Sequence, residues 1–332
     1  LPGYSQNNLK FVDRLKEFSN YINMWLKKNK SLTIIYDVNI EKPLSNFISD
    51  GLFNGMVELH GKIASMYRLL DVVQPQYVFS QHSLGVNYAL GEFCTEKIIP
   101  SLLIPHGSYV PHNDSIADLE WSRHALTMIN SKFPFVALQT PWASKFLKDQ
   151  RSVLAQGVIT GPLVFGKKYN DINVDDGVKH RLYKGHKNKR IILHASSPRS
   201  WKSIRTWIYE TTDEYIKNIN QVISAIDGIP NLYLAIRFRP KAALSLIDFK
   251  ASLPPSNCYG IYAEGSFIDY LTNSDLLISY SSTTIEEALQ NHIPVLQYDP
   301  DGKYEHIPGL QLTNRDDKNI VSSVYTVSSQ KD

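Results

Sequence analysis

A chain of 332 residues with 43% apolar and 20% charged residues is long enough for two domains with separate cores and too apolar to be disordered throughout. A formal charge of +3, with the basic residues dispersed, leaves no electrostatic footprint of a nucleic-acid partner and only a mild attraction to anionic ligands or membrane surfaces. The two cysteines, Cys94 and Cys258, stand far apart and outside any CxxC or Cys/His cluster, so they read as buried free thiols.

The chain opens on LPGYSQNN, which lacks the basic and apolar regions of a signal peptide. No run of about 18 apolar residues follows. The expectation is a cytoplasmic protein, at most peripheral at the inner face of the cell membrane. The first residue is Leu1 rather than Met, which leaves room for other domains of a larger synthase. Short apolar runs then alternate with helical stretches, the pattern of parallel sheets wrapped by helices. Strands are predicted at 32–36, 77–80, 101–105 and 135–139. Between the first two, Met56, Leu59, Ile63, Met66, Leu69 and Leu70 give 53–73 the spacing of an amphipathic helix ended by Pro75, with His60 and Arg68 on its surface.

The polar stretch 167–189 reads as a linker, which sets the boundary between a first domain at 1–166 and a second at 190–313. Strands are predicted in the second at 190–194, 232–237, 260–262, 276–279 and 294–297, with helices near 212–226, 266–272 and 283–290. The tail, 314–332, is expected to pack back across the first domain. The fold class is therefore α/β, two Rossmann-like domains.

In open parallel sheets, ligands gather at the carboxyl ends of strands. The most informative end is SDLLISYSSTTIEEAL at 274–289, a buried strand running through hydroxyl residues into a helix. Ser281, Ser282, Thr283 and Thr284 are candidates to bind a phosphate there. The structural alternative is a capping box from Thr283 to Glu286. Upstream, IRFRPK at 236–241 places Arg237, Arg239 and Lys241 just past a strand, where guanidinium forks and an ammonium match phosphate oxygens; a solvated basic loop is the alternative. HASSPRS at 194–200 offers His194, Ser196, Ser197 and Arg199 as ligand contacts or as turn residues, with Lys202 beyond them.

The passage 274–300, continuing into NHIPVLQYDP, resembles the donor-binding segment of GT-B enzymes: a strand, a small-residue turn, a helix with an early Glu and a "PV" strand. It is also similar to the equivalent part of the nonhydrolysing nucleotide-sugar 2-epimerases. The resemblance implies two domains facing a cleft, a nucleotide-sugar donor in the second and an acceptor against the first. It implies that Glu286 or Glu287 meets donor hydroxyls, one facing the cleft while its neighbour turns about 100° away. It further implies that the stretch through Tyr262 and Phe267 lies at the nucleobase, where core packing is the competing role for both residues.

In the first domain, HGSYVP at 106–111 follows a predicted strand, and His106 there is placed to act as general base on an acceptor hydroxyl. His106-Gly107, with Tyr280-Ser281-Ser282 late in the chain, also resembles polymerases that transfer glycerol phosphate from CDP-glycerol. His82, at another strand end, is the second catalytic candidate. Asp37 is the carboxylate alternative, joined by Glu264 if a nucleophile is needed. No P-loop, HExxH, GxSxG, GxGxxG or strand-end DxD element is present, so neither a metal nor a further cofactor is expected.

These readings imply a metal-independent glycosyltransferase. The resemblance implies bacterial surface-polysaccharide synthesis (capsule or lipopolysaccharide O-antigen), with a lipid-linked or capsular glycan as acceptor and a CMP-linked acidic sugar as an attractive donor. The alternatives carried forward are a CDP-polyol phosphotransferase, a nucleotide-sugar 2-epimerase, and a catalytically silent glycan- or nucleotide-binding module of a larger synthase.

Overall fold

Helical apolar spacing is evident only at 53–73 in the first hundred residues, yet helices dominate the corresponding structure. The computed structural model describes residues 2–105, 115–129, 132–149, 155–165, 176–196, 210–239, 244–303, 305–312 and 321–328. The chain forms two units, Leu1–Val78 with Ser83–Ser101, and Phe79–His82 with Leu102–Asp332.

The first unit opens with α1 (Pro2–Lys28) and a 3-10 turn (Lys30–Thr33). A hairpin of β1 (Ile34–Ile35) and β2 (Val38–Asn39) follows, then α2 (Glu41–Asn46), a π-helical turn (Phe47–Leu52) and α3 (Phe53–Val73). Helix α3 has the predicted limits. It closes on Gln74, which is left-handed with φ 47° and whose N–H donates to the Leu70 carbonyl, one residue before Pro75. Arg68 is exposed as expected, whereas His60 is half-buried and stacks on Phe11 of α1 at 4.2 Å. The strand predicted at 32–36 is corrected. Its residues divide between the 3-10 turn and an antiparallel hairpin in register Ile35↔Val38, outside any parallel sheet. Helix α4 (Val86–Glu96) packs by Phe93 against Tyr67 of α3, ring centroids 5.1 Å apart, and carries Cys94 fully buried.

A four-stranded sheet runs in the order β3 (Val78–Ser80), β4 (Ser101–Leu103), β5 (Phe135–Leu138), β6 (Gln156–Ile159). Helices α5 (Ser115–Ile129) and α6 (Pro141–Asp149) fall between its strands in sequence. Strands β4, β5 and β6 pair parallel. Val78 N–H donates to Pro100 and Ile104 N–H to Ser80, so β3 runs in the same direction.

The region read as a linker contains α7 (Asp176–Tyr183), whose Val178 and Leu182, four residues apart, are fully buried. Then come β7 (Arg190–His194), α8 (Thr212–Ile226), β8 (Leu232–Arg237), α9 (Leu246–Ala251), β9 (Tyr259–Tyr262), α10 (Phe267–Leu271), β10 (Leu276–Ser279), α11 (Thr284–Gln290), β11 (Val295–Tyr298), β12 (Leu310–Gln311) and β13 (Val324–Val327). A capping box does form, at Thr211 and Glu214 of α8: each side chain accepts from the other residue's backbone N–H.

The strands assemble as β12-β13-β11-β10-β7-β8-β9, all paired parallel. Pleating divides the side chains of β7 between two cores. Ile191 and Leu193 join Val178, Leu182, Leu277 and Val295 on one face, while Ile192 joins Ile219, Ile223, Leu234 and Phe249 on the other. Burying each such side chain contributes about 1.5–3 kcal/mol, so this sheet holds the second half together. Trp142 of α6 packs against the first of these cores. In the tail, Val324–Val327 does not cross to the first half but pairs with β11, in register Val295↔Val324. No helix among the described residues is long and apolar enough to cross a membrane.

Candidate functional site

Strand order places the site. From β7 the chain moves outward through β8 and β9 on one side, then returns to add β10 and β11 on the other. The crevice at the carboxyl ends of β7 and β10 is thus the topological switch point, where open α/β sheets bind their ligands.

Hydrogen bonds lock the two strand ends together there. Ala195 N–H donates to Ile278 at 3.0 Å, and the buried Ser279 hydroxyl donates to the Ala195 carbonyl at 2.9 Å. Ser196 Oγ accepts from Tyr280 N–H at 3.0 Å, and Thr284 Oγ1 donates to Ala195 at 3.5 Å. The turn 280–283 consequently wraps residues 195–196. Thr284 N–H donates to Ser282 Oγ at 3.3 Å. Ser281, Ser282 and Thr283 are half-buried, and among the described residues no hydrogen-bond partner holds the Ser281 or Thr283 hydroxyl.

The capping box expected at Thr283 and Glu286 is absent: Thr283 makes no side-chain cap bond. Glu286 is turned instead towards His306, whose Nε2 lies 3.1 and 3.0 Å from its two carboxylate oxygens, with both side chains buried. His306 went unnoticed in the sequence because its partner lies twenty positions away. The half-buried Glu287 is the member of the acidic pair nearer solvent.

His194 ends β7 with its side chain on the α8 face, 6.1 Å from the Tyr215 ring, buried and with Nδ1 lacking a partner among the described residues. Burial holds its pKa down to about 4, so the imidazole is neutral at physiological pH. On the same face, burial raises the Glu210 carboxyl to about 8, against a hydrogen bond from Asn218 Nδ2 at 2.8 Å and with a further push from nearby Asp299. Neither Glu210 nor Asp299 figures among the sequence candidates.

Arg237 is committed to backbone. Its guanidinium donates to the carbonyls of Tyr262 at 2.9 Å, Phe238 at 3.3 Å and Gly265 at 2.5 Å, and lies 5.0 Å from the Tyr270 ring centroid. Arg239 is exposed beyond the end of β8, so the two arginines do not share a strand face. Tyr262 points its hydroxyl at that of Tyr233, 3.0 Å away, and Phe267 packs on the core. Gly260 makes room for this pair, since a Cβ there would stand 2.2 Å from the Tyr233 hydroxyl.

In the four-stranded sheet, buried Gln139 secures the ends of neighbouring segments. Its Oε1 accepts from the N–H groups of Leu163 at 2.9 Å and Val164 at 3.0 Å, and its Nε2 donates to Pro105, the residue before His106. His82 follows β3, half-buried, its carbonyl accepting from the Ser80 hydroxyl at 2.8 Å. Asp37 lies in the exposed turn of the β1–β2 hairpin with φ 63°, and Glu264 is exposed. The candidates His106, Ser197, Arg199, Lys202 and Lys241 lie outside the described residues.

Two α/β layers of parallel strands, the second with a Rossmann switch point, define a GT-B type of fold. No family model matches the chain, and no curated protein matches it. Among solved structures it is similar to the UDP-GlcNAc 2-epimerase of Neisseria meningitidis bound to UDP-GlcNAc, with TM-score 0.53, 15% identity, and 74% of this chain and 65% of that one covered. It is likewise similar to a putative UDP-N-acetylglucosamine 2-epimerase of Listeria monocytogenes, with TM-score 0.50, 14% identity, and 74% and 62% covered. The chain thus spans less than two thirds of the length of these structures, and the likeness is one of fold.

Proposed function

We propose that the chain is a nucleotide-sugar-dependent enzyme of the GT-B type, a glycosyltransferase with its donor at the switch point of the second sheet. The observation that carries the reading is the convergence of Ser196 and the 280–284 turn at the carboxyl ends of β7 and β10, with the Ser281 and Thr283 hydroxyls uncommitted among the described residues. Such a crevice offers hydroxyls and backbone N–H groups to phosphate oxygens. Arg239 and Lys241 supply the compensating charge in this reading, while Arg237 braces the β9 end.

His106 takes the proton of the acceptor hydroxyl. The acceptor oxygen then bonds to the anomeric carbon as the bond from that carbon to the donor phosphate breaks, and the nucleotide leaves with its electron pair. Its acceptor is a surface or lipid-linked glycan, met at the inner face of the membrane. A second reading, nucleotide-sugar 2-epimerase, is supported by the named activity of the two similar structures.

The experiment is a thermal-stabilisation panel of CMP, CDP, UDP and GDP. A native-state ligand at a hundred times its Kd adds about 2.7 kcal/mol, so one nucleotide should shift the transition selectively. His106→Ala is expected to keep that shift and to lose transfer. Consumption of UDP-GlcNAc without any acceptor selects the epimerase reading, and a flat panel contradicts both.

A further inference from the structure

Helix α1 buries one side and leaves the other open. Leu15 and Leu26 are buried, and Asn23 Nδ2 donates to Ser49 Oγ at 2.9 Å, which fixes the rotation of the helix. Phe18 edges that contact, lining a small cavity with Leu15, Ile48 and Leu52, yet is 54% exposed, and Tyr21 and Trp25 beyond it are 62% and 44% exposed. Their i, i+3, i+7 spacing sets all three within an arc of about 60°. Shortly after the helix, the β1–β2 hairpin projects Tyr36, 96% exposed, from a two-residue turn. Both turn residues have positive φ, 47° at Tyr36 and 63° at Asp37, where Asn-Gly is the favoured pair. An aromatic side chain held outward in a disfavoured backbone region is retained against a local energetic cost.

Charge separates the occupants of such a surface. Residues 24–39, through the end of the hairpin, contain three lysines, Lys27, Lys28 and Lys30, against one carboxylate, Asp37 in the hairpin turn. Lysine is depleted in protein–protein interfaces, where arginine is enriched. Lysines beside tyrosine and tryptophan match the headgroup layer of an anionic bilayer, whose potential attracts the cations while the aromatic rings occupy the interface.

We propose that α1 and the Tyr36 hairpin dock this chain onto an anionic membrane surface. The contact is independent of the nucleotide reading: it uses none of the switch-point residues and survives if no nucleotide binds.

The test is co-sedimentation of the full chain with vesicles of equal parts phosphatidylglycerol and phosphatidylcholine, against vesicles of phosphatidylcholine alone. Binding is expected to the first, weakening as salt rises, with a blue shift in tryptophan emission that Trp25→Phe removes. Replacing Lys27, Lys28 and Lys30 together by Gln should lower binding about a hundredfold, roughly fivefold for each lysine. Tyr36→Ser, at an exposed tip where folding is unaffected, should lower it as well, with the circular dichroism unchanged. Failure to bind anionic vesicles, equal binding to both vesicle types, or unaltered binding by the Lys variant would overturn the proposal. So would a self-associated chain that Tyr21→Ser with Trp25→Ser dissociates, since the stripe would then be an interface between copies.

Discussion

Arg237→Ala is expected to destabilise the chain by about 3 kcal/mol, the scale of charge-assisted bonds to carbonyls plus a cation–π contact, and Arg239→Ala is expected to leave stability unchanged. The difference follows from where the two guanidinium groups point. Arg237 joins the carbonyls of Phe238, Tyr262 and Gly265 and covers Tyr270, so truncation removes three charge-assisted bonds and the ring contact at once, although the Tyr262 carbonyl keeps its bond from the Phe238 N–H. Arg239 is exposed past β8, and its loss should register as a weaker nucleotide-induced shift. Urea unfolding of both variants, with and without nucleotide, separates the roles. Equal stability losses would remove Arg239 from the donor site, and an unaffected Arg237→Ala would refute the clamp.

The second large effect is a loss of stability between pH 6.5 and 8. Glu210 keeps its proton in the folded chain up to about pH 8 but releases it near 4.5 when unfolded. Between those values the native state binds more protons, so stability falls as pH rises, by about 1.4 kcal/mol per pH unit at most. His194 acts in the opposite direction. Its folded pKa of about 4 lies below its ordinary 6.5, so stability rises with pH across that window. The two slopes offset one another between 4.5 and 6.5, and the Glu210 term alone remains from there to 8, a decline of up to about 2 kcal/mol. Glu210→Gln retains an acceptor for Asn218 Nδ2 and is expected to abolish the decline, being more stable than the parent at pH 8 and close to it at pH 5. Denaturant midpoints across the pH range check this, and a parent profile that stays flat from 6.5 to 8 would contradict it.

Much of the second half was legible in the sequence for a physical reason. Strands buried on both faces are continuous apolar runs, so β7, β8 and β10 have their predicted limits. The same signal failed at 32–36, where an apolar run belongs to an exposed hairpin, because hydrophobicity alone does not distinguish a core strand from a projecting one. Helix α7 was hidden among polar residues since Val178, Leu182 and the half-buried Tyr183 alone among its apolar residues carry its contact with the core.

At the site, the strand ends and the 281–284 hydroxyls were readable from chain order, but the commitments of the charged groups were not. Arg237 serves carbonyls, Glu286 serves His306, and Gln139 serves Pro105, Leu163 and Val164. Apart from the neighbouring Phe238, these partners lie 20 to 34 residues away in sequence, too far for any local pattern to pair them.

The most direct test of the donor site is hydrogen exchange of the full chain with and without the nucleotide that stabilises it best. Local protection by a ligand reports the segments it orders. Slower exchange in peptides covering 194–196 and 279–287 is the predicted result. Protection confined to the four-stranded sheet, with those peptides unchanged, would contradict a nucleotide site at the β7–β10 switch point.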